Sequence, residues 1–180
     1  MSHSLLLPPL SKVVEYEGTG NFSVKRYYKW PFSFFYCHKL DMILDLMDSG
    51  RVYISIVDFG CGKAKILKES LNIRSLNVSC VDKDDDIKGR YDLIVCASVL
   101  EFVNLKLVLP RLKSHLIHGG QLIGASPMDT RLSRFYFRLI GDKRKRHSHK
   151  TILTELHKQF FVTKKVEWFG LYFSFKAYAR

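Results

Sequence analysis

The stretch Val57-Asp58-Phe59-Gly60-Cys61-Gly62 constrains this chain more than any other. The apolar, β-branched run over 52–59 reads as a buried strand, and it stops at two glycines that open a helix over 63–70. Glycine at such a junction lets the chain turn sharply and lets a ligand reach the backbone. The free N–H groups of the following helix attract an anion. The spacing lacks the third glycine of a dinucleotide fingerprint, because Lys63, Ala64 and Lys65 follow. Asp58, two positions before the first glycine, is a poor neighbour for a pyrophosphate and a good one for a ligand that carries an ammonium group. Taken alone, the two glycines read at least as well as plain turn residues.

The surrounding pattern alternates short strands with helices. Helices are expected over 38–47, 105–116 and 150–160, and strands over 76–81, 91–97 and 121–125. His118-Gly119-Gly120 reads as a turn. Strands over 161–168 and 171–178 around Gly170 read as an antiparallel hairpin. This order predicts an α/β, Rossmann-like, mostly parallel sheet with helices on both faces and a C-terminal antiparallel hairpin. Residues 1–36 are expected to form an N-terminal arm and a basic-aromatic segment (Lys25 to Tyr36), and 37–180 a single domain. Asp82 closes the second strand about 20 residues past the glycine turn, the spacing of an acidic residue that accepts hydrogen bonds from ribose hydroxyls. Asp84 and Asp85 read as a solvated loop.

The 180 residues are 47% hydrophobic and 13% aromatic, enough for one core. Charges break every apolar run well short of the roughly 18 residues of a membrane span, and no secretory pattern opens the chain. The expected location is cytoplasmic, with Cys37, Cys61, Cys80 and Cys96 as reduced thiols, since none forms a C-x-x-C pair. The net charge of +12 suits an anionic partner, whether nucleic acid, acidic lipid or a phosphorylated substrate.

Residues 57–62 resemble motif I of the class I S-adenosylmethionine-dependent methyltransferases. Tyr91 to Val103 is similar to the fourth strand of that family and the helix after it. Leu112 to Ala125 is similar to the next helix and strand, and Arg146 to Leu153 with Phe160-Phe161 to the late region of small-molecule and lipid-directed members, so that the chain as a whole resembles a small, type 11/12-like member. The resemblance implies S-adenosyl-L-methionine as cofactor. It places Asp58, Gly60, Cys61 (through its backbone) and Gly62 around the methionine part, Asp82 on the ribose and Lys83 beside the adenine. Ala97 and Ser98 would border the transferring methyl. Glu101, one turn on, either faces the pocket or caps and solvates its turn. Only 83–90 separate the second strand from the next, where the family fits a helix and another strand, so the sheet edge is expected to be trimmed.

Methyl transfer needs alignment first, and a base only where the acceptor must lose a proton. His147 and His149 are the candidate bases, against the reading of 143–147 as a solvated basic loop. Their H-x-H spacing makes no metal site without further ligands. Tyr27 and Tyr28 either shape a lid over the cofactor or pack. No Asn-Pro-Pro-Tyr or Asp-Pro-Pro-Tyr follows the fourth strand, which disfavours nucleic-acid bases as acceptors. The basic and aromatic segments at 25–36, 142–150 and 173–176 suit a membrane surface. The expected acceptor is therefore a small or lipid-linked molecule, with peripheral membrane contact. The alternative is a degenerate methyltransferase fold that binds RNA or acts as a scaffold. A nicotinamide-dependent oxidoreductase is disfavoured by Asp58 and the missing glycine.

Overall fold

The computed structural model describes residues 17–18, 22–23, 28–62, 66–71, 78–142 and 144–180. Most of the expected arm, together with Lys25, Arg26, Tyr27, Lys63 to Lys65, Leu76 and Lys143, lies outside the described residues. Within the arm, β1 (Glu17–Gly18) and β2 (Phe22–Ser23) pair antiparallel.

The other strands are β3 (Ile56–Phe59), β4 (Val78–Val81), β5 (Tyr91–Ala97), β6 (Leu116–Pro127), β7 (Phe160–Trp168) and β8 (Tyr172–Ala179). They form one six-stranded sheet in the order β4-β3-β5-β6-β8-β7. The first four strands are parallel, and β8 and β7 complete the sheet antiparallel, as the hairpin reading requires. Strand alternation divides the core in two. Val57, Phe59, Ile94 and Cys96 face α3 (Leu105–Ser114) and α5 (His149–Gln159). Ile56, Leu93, Val95 and Ile123 face α1 (Phe32–Leu44) and α2 (Ile66–Leu71).

The trimmed edge is present: β4 is the outermost strand, and 82–90 lead to β5 without helix or strand. Four expectations shift. Helix α1 starts at Phe32, not 38, because Phe32, Phe35 and Tyr36 fall at helical spacing and the first two pack against Tyr136. Val52 and Ile54 are exposed, so the buried strand is only β3. The glycines expected as a turn at 119–120 sit inside β6, where its register against β5 slips. Helix α4 (Arg131–Leu139) was not expected; Thr130 caps it by accepting from the Ser133 N–H at 3.0 Å.

The cysteines need a correction too. Cys61 and Cys80 form a disulfide, with Cα atoms 5.8 Å apart, while Cys37 and Cys96 take no part in a disulfide. The pairing of Phe59 with Val81 brings the glycine turn alongside β4, so two cysteines 19 residues apart in sequence meet. Sequence spacing carries no sign of this contact.

Candidate functional site

In an open parallel sheet, ligands bind beyond the C-terminal strand ends where the strand order reverses direction. Here that point lies between β3 and β5, because the chain runs outward from β3 to β4 and inward from β5 to β6. Asp58 and Gly60 end one side of this crevice, and Ala97 and Ser98 end the other. Gly60 (φ +78°) and Gly62 (φ +58°) are left-handed. A side chain on Gly60 would strike Val99, whereas one on Gly62 would meet nothing within 4 Å among the described residues. On that side the Gly62 backbone is open to a ligand. Ser98 is left-handed as well (φ 58°), a strained state for a non-glycine residue.

Charge is concentrated in the crevice. Asp58, Glu101 and Lys39 are all buried, at 2%, 2% and 3% exposure. Glu101 lies in a 3-10 turn (Leu100–Phe102), and Ser126 donates to its Oε2 at 2.9 Å. Lys39, on α1, donates to Ser98 Oγ at 3.2 Å and lies over the Tyr36 ring at 4.3 Å. Among the described residues, the buried Asp58 Oδ2 and Glu101 Oε1 have no hydrogen-bond partner. Burial pushes the Asp58 carboxyl up to about 7, against the pull of Lys39 and a backbone hydrogen bond from Lys68. Burial likewise raises Glu101 to about 7, against hydrogen bonds and the Lys39 and Arg146 charges. Burial brings Lys39 down to about 8, although both carboxylates oppose it.

A second polar cluster shows the contrast. Gln121 accepts from the Tyr53 hydroxyl at 2.7 Å and donates to Asp48 and Tyr178, and Asp48 also pairs with Lys176. Those hydrogen bonds, from Lys176 first and Gln121 second, hold the Asp48 carboxyl below its ordinary range. That network is mutually satisfied and ties β6 and β8 to the loop after α1. The crevice carboxylates are not satisfied, and unpaired buried polar atoms of this kind mark ligand sites.

The remaining sequence candidates are spread along the crevice. Asp82 and Lys83 are exposed just past β4; the Asp82 carboxylate accepts from the Lys83 N–H at 2.7 Å, and Lys83 pairs with Asp84. His147 donates its backbone N–H to the Glu101 carbonyl at 2.8 Å, and its Nε2 lies 3.0 Å from the Val103 carbonyl. A carbonyl only accepts, so Nε2 carries a proton, and in the neutral ring the lone pair is on Nδ1. His149 Nδ1 accepts from the Asp129 N–H at 3.1 Å, so its lone pair is engaged. The structure therefore brings Asp58, Gly60, Gly62, Ala97 and Ser98 together with Glu101. Sequence reading overlooked Lys39. Its signal was position, since Lys39 shares one helical stripe with Met42 and Ile43, both buried. Among the described residues, no group of three or more His, Cys, Asp or Glu could hold a metal ion.

No protein-family model matches the sequence, and no curated protein matches it. Solved structures do match in fold. One is the N-methyltransferase NodS from Bradyrhizobium japonicum WM9 in complex with S-adenosyl-L-homocysteine. It has a TM-score of 0.64 and 16% identity over 86% of this chain and 90% of that one. Human N-acetylserotonin methyltransferase in complex with SAM has a TM-score of 0.59 and 14% identity over 81% of this chain and 52% of that one. Likeness at these identities is likeness of fold: the chain has the Rossmann-like α/β fold of these methyltransferases.

Proposed function

We propose that this chain binds S-adenosyl-L-methionine in the β3–β5 crevice and transfers its methyl group to a small or lipid-linked acceptor. The observation that carries this reading is the pair of buried carboxylates at the switch point, each with an oxygen that no group among the described residues satisfies. A ligand with an ammonium and a sulfonium supplies the positive charge such oxygens favour, and the open backbone at Gly62 leaves room for its approach.

Asp58, Gly60, Gly62 and the Cys61 backbone would hold the amino-acid part, Asp82 the ribose and Lys83 the adenine side. Ala97 and Ser98 would border the reacting end. When bound, the cofactor supplies a methyl carbon activated by its positive sulfur. The protein's part is alignment, plus proton acceptance where the acceptor requires it. Glu101, poised at about 7, is suited to take a proton near neutrality. His147, whose Nε2 rather than Nδ1 meets the Val103 carbonyl, is better placed as a base in its neutral form than His149, whose Nδ1 is engaged by Asp129.

Calorimetric titration with S-adenosylhomocysteine should give micromolar binding, and Asp82→Ala should weaken it about tenfold, the loss of one charge-assisted hydrogen bond. Affinity should rise between about pH 6 and pH 8, because Asp58 ionises through about 7 and the ligand ammonium prefers the carboxylate. Absence of binding at millimolar ligand would overturn the reading.

Helix α4 supports acceptor capture at a lipid surface. Leu132, Phe135 and Leu139 are 51–58% exposed along one stripe, and the exposed Arg131, Arg134 and Arg138 line the stripe beside it. Its nine residues include no acid. Each arginine near anionic lipid contributes about 1 kcal/mol. The protein should therefore co-sediment with phosphatidylglycerol vesicles and not with phosphatidylcholine vesicles. Phe135→Ser combined with Leu139→Ser should reduce that binding at least tenfold. Among the described residues no helix is long and apolar enough to cross a membrane. Equal sedimentation of the variant would exclude α4 as the contact.

A further inference from the structure

We propose that an arginine-walled cavity beside Glu101 binds an anionic group, a carboxylate or phosphate, of the methyl acceptor; the word acceptor rests on the methyl-transfer reading above. The cavity, about 280 Å³, opens at the C-terminal end of β6 between α4 and the loop that leads into α5. Met128, Arg134, Phe137, Arg144, Arg146 and His147 line it.

Its guanidinium groups are held in place. Arg144 lies 4.1 Å over the Phe102 ring and Arg146 lies 3.9 Å over the Phe137 ring. The buried Asp142 carboxylate binds Arg144 at 3.0 and 2.7 Å and Arg146 at 2.6 Å. Two guanidiniums share this one carboxylate. Among the described residues, the buried Arg146 Nε has no hydrogen-bond acceptor. Arg134 adds a third guanidinium, 3.9 Å from Asp129 in solvent-exposed surroundings, where pairing is weak. Fixed, planar donors on apolar walls suit carboxylates and phosphates, and they repel a cation.

The cavity adjoins the proposed reaction site. Pro127 and Met128 in its wall follow Ser126, which donates to Glu101, and His147 in the opposite wall donates to the Glu101 carbonyl. An anion seated there places the rest of its molecule one residue layer from Glu101. A volume near the lower end of ligand pockets, about 300–1,000 Å³, suits a small acceptor or the head of a larger one.

The test is a ¹H–¹⁵N NMR titration of the full chain with benzoate and with inorganic phosphate, at ionic strength matched with chloride. Saturable shifts centred on Met128, His147 and Ser148 are expected, weakened about tenfold in Arg144→Gln. Arg134→Gln, on the exposed side chain, guards against a folding defect and should weaken binding several-fold. Shifts scattered over the basic surface, or equal shifts with chloride, would overturn the proposal. So would full-strength binding to both variants. S-adenosylhomocysteine titrated into the unaltered protein separates the two readings. Binding of the nucleoside without the anions defeats the cavity proposal alone; binding of the anions without the nucleoside keeps the anion site and defeats the methyl-transfer reading. Competition between phosphate and phosphatidylglycerol vesicles assigns the anion to a lipid headgroup. Its absence assigns it to a free small molecule, and the anion class stands in both cases.

Discussion

Lys39→Met is expected to destabilise the fold by about 3–5 kcal/mol near pH 7.5, where both carboxyls are mostly ionised and Lys39 is mostly protonated, the cost of removing one partner from a buried charge cluster. Asp58 and Glu101 would then have to ionise without their counter-charge or keep protons that the unfolded chain releases. Near pH 5 the sign should reverse. Both carboxyls are then mostly neutral, because burial has raised them to about 7, and the Lys39 ammonium is a buried cation with little to offset it. Removing it should leave stability unchanged or improve it. Urea unfolding of both proteins at the two pH values measures this; an equal loss at both would mean that Lys39 acts through packing alone.

The same three groups shape the pH profile of the unaltered protein. The carboxyls have folded pKa values above their unfolded ones, so the stability they contribute is full in acid and is lost as pH rises through about 7. Lys39 has a folded value below its unfolded one, so its contribution is present in base and is lost as pH falls through about 8. Their combined contribution is therefore smallest between about 7 and 8, with slopes of at most about 1.4 kcal/mol per pH unit for each proton. A ligand cation that met the carboxylates would have its greatest stabilising effect in that window.

The parts legible in the sequence are those that follow from local rules. A strand that ends at Gly60 and Gly62, nine residues between β4 and β5, and a hairpin around Gly170 each leave a pattern that chain geometry obliges. Other features depend on what lies across space. Lys39 reads as a surface charge until Asp58 and Glu101 are seen to face it. Glu101 was open between pocket and solvent until Ser126, 25 residues on, supplied its partner. Cys61 and Cys80 meet only because β3 and β4 are in register. Helix α4 did leave a trace in Thr130 and the spacing of Leu132, Tyr136 and Leu139, but exposed apolar residues beside arginines disguise which side is the core.

Alanine at Gly60 and alanine at Gly62 should act in different ways. Both positions are left-handed, so each substitution costs about 1–2 kcal/mol in backbone conformation. At Gly60 the new Cβ also lies 2.6 Å from Val99 Cβ, inside a packed wall, and overpacking of this kind adds about 1–3 kcal/mol. Gly60→Ala should therefore lose about 2–5 kcal/mol and unfold measurably earlier in urea. At Gly62 nothing lies within 4 Å, so the stability loss stays near the conformational cost. The added methyl instead enters the space through which a ligand reaches the backbone, so Gly62→Ala should bind S-adenosylhomocysteine at least tenfold more weakly while remaining folded. Urea unfolding and calorimetry on the two variants separate the roles. Unchanged affinity in Gly62→Ala would place the ligand away from this turn and leave the two glycines as elements of the strand-to-helix turn alone.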